Sequence, residues 1–153
     1  AHKVTAVNLE HLVSEVLSLQ KKSIKEKNAK IEIGVLPELG VEEPVLRQLF
    51  SNLIGNALKY YSKERQPEIK ISSLEKEKYW EFKITDNGIG IEEEFKEQIF
   101  IIFQRLHQRD EYDGTGIGLA ICKKIVDNFD GKIWVDSIPG EGSSFYFTIP
   151  KQF

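Results

Sequence analysis

The sequence predicts an α/β (α+β) two-layer sandwich, in which a mixed, mostly antiparallel sheet of about five strands is covered on one face by three long helices. Three segments carry apolar residues at helical spacing, and the shorter segments between them alternate apolar and polar residues as strands do. The strand segments follow one another as hairpins or around helical excursions, in uneven order. That order favours a mixed sheet over a doubly wound parallel one.

The first half of the chain is predicted to contain two of the helices. An extended start at residues 4–9 leads into a helix over about residues 9–27, where leucine and valine recur at helical spacing. Residues 30–35 alternate as a strand, and residues 37–41 are predicted to form a turn. A second helix begins near Pro44, because two glutamates followed by proline suit a helix N-terminus.

The second half is predicted to hold the remaining strands and most of the loops. Its elements are, in order, a strand pair at 68–74 and 79–86, loops over 87–116 with a short helical stretch at 92–98, a third long helix from Ile117 to a stop at Gly131, and a hairpin formed by 132–137 and 144–150. Because loops carried by a rigid scaffold often bear function, we expect a site near residues 87–116.

Composition limits the class of protein. The chain has 153 residues, 41% of them hydrophobic and 29% charged, which fits one compact domain. A formal net charge of -3 gives no basic field that would attract nucleic acid. The single cysteine, Cys122, excludes an internal disulfide and suits the cytoplasm, and no apolar run approaches the ~18 residues of a spanning helix. We therefore expect a cytoplasmic fragment of a longer protein, without membrane contact of its own, and a membrane anchor elsewhere in that protein stays open.

Four polar side chains share one stripe of the second predicted helix, namely Asn52, Asn56, Lys59 and Tyr60. An amide oxygen is a neutral ligand for a hard cation such as Mg2+, a lysine can meet a phosphate, and a tyrosine ring can stack on a base. A solvated polar face is the plainer alternative.

Asp86 ends a strand and lies on the same face as Phe82 and Ile84, which predicts that it points toward the interior. The amino group of adenine could donate to such a carboxylate, whereas guanine presents a carbonyl at the matching position. Gly88 and Gly90 follow directly and would let backbone approach a flat ring. A simple hairpin turn is the alternative, since Asp-Asn-Gly is a common turn signal.

Gly114, Gly116 and Gly118 lead directly into the third helix, where backbone N–H groups and the helix dipole can hold a phosphate. A flexible helix entry is the alternative reading. The intervening segment carries cations that a closing lid could bring to phosphates, although a run of charge is usually a solvated loop; they are Lys96, Arg105, His107 and Arg109.

In order and spacing these segments resemble the four boxes of the histidine-kinase catalytic domain, within the superfamily of Bergerat-type fold that includes gyrase-type, mismatch-repair and chaperone ATPases. The N box is matched by 52–60, the first glycine box by 86–90, the F box by 100–103 and the second glycine box by 114–120. The match spans essentially the whole chain. The lid sequence from Phe103 to His107, with Tyr112, is similar to that of phytochrome-like sensor kinases.

The resemblance implies a role for each matching residue. Asn56 would be the Mg2+ ligand, Lys59 and Arg105 would face phosphates, Tyr60 would lie beside adenine, and Asp86 would bind its amino group. The other implied nucleotide contacts are Gly88, Gly90, Ile91, Phe103, Gly114, Thr115, Gly116, Ile117, Gly118 and Leu119.

The resemblance also implies the chemistry. Asn52 stands where hydrolases of the superfamily carry a glutamate that acts as general base, so hydrolysis should be poor. Transfer of the ATP γ-phosphoryl group to another nucleophile remains. The expected catalytic residues are therefore Asn52, Lys59 and Arg105, with ATP and Mg2+ as cofactors.

A sensor histidine kinase implies partners beyond this chain. Residues 1–8 would be a linker and first strand that follow an upstream dimerisation and phosphoacceptor domain, and residues 9–153 the ATP-binding catalytic domain. The full-length protein would be a homodimer that passes the phosphoryl group to a response regulator. None of His2, His11 and His107 lies in a phosphoacceptor context, so the fragment should bind ATP without phosphorylating itself.

Two alternatives remain open. One is an anti-sigma-type serine/threonine kinase, which shares the boxes but usually stands alone. The other is a non-catalytic nucleotide-binding regulatory module, which the joint presence of Asn56, Lys59 and Arg105 disfavours.

Overall fold

The computed structural model describes residues 4–101 and 118–151. Its elements are β1 (Thr5–Asn8), α1 (Leu9–Leu19), α2 (Lys21–Glu26), β2 (Lys30–Ile33), β3 (Glu38–Val41), α3 (Glu43–Lys59), β4 (Glu68–Glu75), β5 (Tyr79–Asp86), α4 (Gly118–Asn128), β6 (Ile133–Ile138) and β7 (Gly142–Pro150). Two single-turn 3-10 helices, Glu93–Phe95 and Gln98–Phe100, stand where one short helical stretch was predicted.

The main sheet has five strands in the order β2-β4-β5-β7-β6. β2 and β4 pair in parallel, while the other three neighbouring pairs are antiparallel. The parallel pair follows from the chain path, because α3 lies in the connection between β2 and β4 and a crossover of that length returns a strand in the same direction. The predicted mixed, mostly antiparallel sheet is confirmed.

The helices cover one face of this sheet, and aromatic rings fill the junction. Phe82 on β5 and Phe147 on β7 stack on the inner face, with ring centroids 5.0 Å apart. Phe50 on α3 meets both rings edge-on, at 6.0 and 5.4 Å. All three side chains are fully buried, so α3 is the central helix of the second layer. In the part of the chain that the structure describes, no helix combines the length and apolarity needed to cross a bilayer.

Two local predictions were wrong. The helix predicted over residues 9–27 is interrupted at Gln20, whose backbone leaves the helical region and whose side-chain amide donates to the Ser51 carbonyl of α3 at 3.2 Å. The turn predicted at residues 37–41 contains strand β3 instead. It pairs antiparallel with β1, from Thr5 opposite Val41 to Asn8 opposite Glu38, and forms a separate two-stranded sheet.

Three elements border the predicted site. β5 lies in the middle of the main sheet and ends at Asp86, beside the start of β7. α3 packs between α1 and α4 and ends at Lys59. The C-terminal end of α3, the end of β5 and the start of α4 therefore frame one corner of the domain.

Candidate functional site

The predicted polar stripe lies along one flank of α3. Asn52, Asn56, Lys59 and Tyr60 are each half-buried, whereas the intervening Leu53, Ile54, Ala57 and Leu58 are buried in the core. The Lys59 ammonium lies 5.6 Å from the centroid of the Tyr60 ring. The stripe is thus a boundary between core and surface rather than a fully solvated face.

Asn52 connects α3 to the start of α4. Its amide nitrogen donates to the Gly118 carbonyl at 3.4 Å, across 66 residues of sequence. Cys122, one turn further along α4, is fully buried, and burial raises the pKa of its thiol to about 12. This cysteine is therefore a core residue and not a nucleophile.

Asn56 is the residue that would hold Mg2+. Its amide is half-buried, and among the described residues it has no hydrogen-bond partner, so its oxygen is available to a ligand. One neutral oxygen fits an ion whose other ligands are phosphate oxygens and water, which is how Mg2+ is commonly held. In the described ranges no group of three His, Cys, Asp or Glu side chains could bind a metal without a nucleotide.

Asp86 is the last residue of β5, and one of its carboxylate oxygens is hydrogen-bonded within the domain. Its Oδ1 accepts hydrogen bonds from the backbone N–H groups of Gly88, at 2.9 Å, and Ser143, at 3.3 Å. No residue in the described ranges donates to Oδ2. Burial raises the pKa of Asp86 from 3.8 to about 6, against the two N–H groups and the charge of Arg65, which lower it. The carboxylate is therefore short of donors and suited to one more.

The first glycine box is packed tightly by backbone on both sides. A Cβ on Gly88 would lie 2.3 Å from the Tyr60 carbonyl oxygen, and one on Gly90, at φ 76°, would lie 2.3 Å from the Ile138 carbonyl oxygen. Only glycine fits either position. In the described residues these glycines bring backbone against backbone, and their predicted contact with a flat ring stays a prediction.

Two of the predicted nucleotide contacts have buried side chains. Ile91 and Leu119 belong to the hydrophobic core, at 4% and 9% exposure. The Ile91 N–H donates to the Ser137 hydroxyl at 2.7 Å, which fixes the segment after the glycines. Their side chains therefore belong to the core, and their nucleotide contacts stay predictions.

The structure adds a residue that sequence reasoning missed. Arg65, in the loop between α3 and β4, donates to the carbonyls of Asn87, Gly88 and Gly140 at 2.6, 2.7 and 2.8 Å. It belongs to none of the four boxes, so only its spacing of a few residues from the N box could have drawn attention to it.

Part of the predicted site lies outside the described residues. These positions are Phe103, Arg105, His107, Arg109, Gly114, Thr115, Gly116 and Ile117. Lys96, the remaining predicted lid cation, pairs with Glu93 at 2.8 Å. Gly118 begins α4 as described, and a Cβ there would have no described residue within 4 Å.

A family model described as histidine kinase-, DNA gyrase B-, and HSP90-like ATPase matches residues 41–152, most of the chain. The chain belongs to this family. The segment that matches runs from the end of β3 to the end of β7, so it contains every box and the whole corner at α3, β5 and α4.

Relatives of this ATPase domain include phytochrome-like proteins and adaptive-response sensory kinases. Phytochrome-like protein Cph1 of Synechocystis sp. is 48% identical over 148 residues, which cover 97% of this chain and 20% of the relative. The adaptive-response sensory kinase SasA of Synechocystis sp. is 38% identical over 143 residues, covering 91% and 37%. The expected resemblance to histidine-kinase catalytic domains, and to phytochrome-like kinases among them, is confirmed.

Solved histidine-kinase structures share the fold of this domain. The nucleotide-free catalytic domain of ThkA matches with TM-score 0.83 and 31% identity, over 97% of this chain and 96% of that one. Full-length ShkA in complex with AMPPNP matches with TM-score 0.84 and 27% identity, over 98% and 31%. The histidine-kinase-type domain described here spans about a fifth of the length of its phytochrome-like relatives.

Proposed function

We propose that this domain binds ATP with Mg2+ and transfers the γ-phosphoryl group to a histidine on another domain of the same protein, as part of a bacterial two-component sensor kinase. The observation that carries the proposal is Asp86, whose Oδ1 is held by two backbone N–H groups while Oδ2 lacks a donor in the described residues. The amino group of adenine supplies that donor. The polar flank of α3 then faces the phosphates.

The polar stripe on α3 and the predicted lid residue Arg105 contribute the side chains of this proposal. Tyr60 lies beside the adenine, Asn56 contributes an oxygen to Mg2+, and Lys59 and Arg105 neutralise phosphate charge. Asn56 would hold Mg2+, which would supply positive charge against the charge that develops on the phosphates during transfer. The protein contributes mainly position and charge, because phosphoryl transfer needs little covalent chemistry from the enzyme.

Asn52 favours transfer over hydrolysis. A general base for water must accept a proton, which an amide cannot do at neutral pH. The Asn52 amide nitrogen is also engaged with the Gly118 carbonyl, so this side chain ties α3 to α4 instead of activating water. We therefore assign Asn52 a supporting role in the catalytic group and expect slow ATP hydrolysis.

The proposed partners follow from this chemistry. The acceptor histidine belongs to an upstream dimerisation domain, which would make the full-length protein a homodimer, and a response regulator then receives the phosphoryl group. One solved structure with TM-score 0.78 and 29% identity to this chain is the kinase ThkA in complex with the response regulator TrrA. We propose a cytoplasmic location for this domain, with ATP as the phosphoryl donor.

A mixing experiment tests the proposal. The domain is incubated with labelled ATP, Mg2+ and a separately produced phosphoacceptor domain from its own full-length protein. We expect acid-labile, alkali-stable label on the acceptor domain, none on this domain alone, and none on an acceptor whose histidine is replaced. Label on serine or threonine would favour the anti-sigma-type alternative. ATP binding without any transfer would favour the regulatory module.

The pH dependence of ATP binding offers a further prediction. Asp86 can accept a hydrogen bond from the purine amino group through Oδ2 only in its ionised form. Burial raises the pKa of Asp86 to about 6 in the free domain. ATP affinity should therefore be highest above pH 7 and fall as the pH drops through about 6. Because ATP phosphates also titrate near pH ~6, Asp86→Asn is the matched control in calorimetry. Identical pH profiles for the two proteins would contradict the assignment.

A further inference from the structure

Arg65 connects two loops at the C-terminal end of β5. Its Nε donates to the Asn87 carbonyl at 2.6 Å, and its Nη2 donates to the carbonyls of Gly88 and Gly140 at 2.7 and 2.8 Å. Asn87 and Gly88 belong to the first glycine box, whereas Gly140 lies in the turn between β6 and β7. One half-buried guanidinium thus holds three carbonyls from two segments of the chain.

One of these contacts leads directly to Asp86. The peptide group between Asn87 and Gly88 accepts from Arg65 through its carbonyl, and its N–H donates to Asp86 Oδ1 at 2.9 Å. A guanidinium bound to the carbonyl fixes the plane of that peptide and polarises its N–H toward the carboxylate. Arg65 therefore acts on Asp86 through a single peptide group.

We propose that Arg65 is a positioning residue for the nucleotide: through the Asn87–Gly88 peptide it holds Asp86 Oδ1 and leaves Oδ2 directed at the purine amino group. This inference rests on the proposed function. It assigns Arg65 no contact with ATP and no part in the transfer step.

The surroundings of Asp86 show why one fixed arginine matters. Two hollows flank the residue, and the charged side chains that line them are Lys30, Glu32, Glu68, Lys70, Asp136 and Glu141. Four of these six are acidic. Burial raises the pKa of Asp86, the N–H groups of Gly88 and Ser143 lower it, and the charge of Arg65 lowers it further. The arginine therefore both orients the carboxylate and favours its ionised form.

Other contacts hold the residues on both sides of this peptide without bonding to its own carbonyl or N–H. The Asn87 side chain accepts from the Glu68 N–H at 2.8 Å and donates to the Gln66 carbonyl at 3.0 Å. The Ile89 N–H donates to the Tyr60 carbonyl at 3.0 Å, and the Gly140 N–H donates to the Ile89 carbonyl at 2.7 Å. These last two contacts lie after Gly88 in the chain. Loss of Arg65 would thus loosen the Asn87–Gly88 peptide while the loop as a whole stays attached.

A double-mutant cycle tests the inference by calorimetry of ATP binding at pH 7.5. We expect Arg65→Gln to weaken ATP binding about ten-fold in the wild-type background and to have little effect in the Asp86→Ala background, because both changes remove the same interaction. Arg65→Lys keeps the positive charge but loses the planar guanidinium that bonds to several carbonyls at once, so we expect an ATP affinity between those of the wild type and Arg65→Gln. Arg47→Gln is the matched control, since Arg47 pairs with Glu15 and Glu43 near the other end of α3.

The pH profile separates positioning from general support of the fold. Without the arginine charge, the pH at which ATP affinity falls should rise in Arg65→Gln and stay near the wild-type value in Arg65→Lys. Equal loss of affinity in both Asp86 backgrounds, an unchanged pH profile, or failure of both Arg65 variants to fold would overturn the inference. If the wild-type domain did not bind ATP, or Asp86→Ala bound it normally, the proposed function itself would fail.

Discussion

Asp86→Ala is expected to weaken ATP binding by about ten- to a hundred-fold. The change removes a hydrogen bond between a charged acceptor and the purine amino group, worth ~1.5 to 3 kcal/mol. The loss should appear in calorimetry with ATP and with ADP alike, because the contact lies at the base and not at the phosphates. Unchanged affinity would contradict the role of Asp86.

Asp86→Asn is the matched variant, since it keeps an oxygen for the N–H groups of Gly88 and Ser143. Its amide nitrogen then faces the purine and donates where the carboxylate accepted. We expect ATP affinity to fall and the preference for ATP over GTP to narrow, because guanine presents a carbonyl there.

The same variant separates binding from folding. The pKa of Asp86 is raised in the folded state, so the folded domain holds this proton more tightly than the unfolded chain does. The carboxylate therefore costs stability as the pH rises from about 4 through 6. Asp86→Asn should be at least as stable as the wild type at pH 8 by thermal melting, while its ATP binding is impaired.

Asn56→Ala is expected to abolish the dependence of ATP binding on Mg2+. The Asn56 amide has no partner among the described residues, and in the proposed site its oxygen binds the metal. Without it, the nucleotide should bind with the same low affinity in Mg2+ and in EDTA. Gln48→Ala is the matched control, an exposed amide two turns earlier on the same helix. Full Mg2+ dependence in Asn56→Ala would place the metal elsewhere.

The helix and sheet layers of the fold could be predicted from the sequence, because the spacing of apolar residues shows which face of each element is buried. The buried lane of α3, from Leu46 to Leu58, and the inner face of β5 both follow from spacing alone. The break at Gln20 could not be predicted, since it depends on a hydrogen bond to Ser51 31 residues away. Strand β3 is four residues long and contains a glycine, so only its pairing with β1 makes it a strand.

The sequence predicts the local motifs of the candidate site, and the roles of their residues stay predictions. The stripe on α3 and the strand end at Asp86 each lie within a few residues of sequence, and the sheet and helix layers place them at one corner. Arg65 was missed because its role consists of three contacts with backbone carbonyls, 22 to 75 residues away. Every residue has a backbone carbonyl, so no sequence motif predicts which carbonyls an arginine will bind. Phe103, Arg105 and the second glycine box up to Ile117 lie outside the described residues, and their roles stay predictions.

A crystal structure of the domain with a non-hydrolysable ATP analogue and Mg2+ tests the central claim most directly. We predict that the purine amino group lies within about 3 Å of Asp86 Oδ2, a normal hydrogen-bond distance, with the metal on the Asn56 oxygen. A purine bound elsewhere, with Asp86 Oδ2 turned to solvent, would contradict the claim.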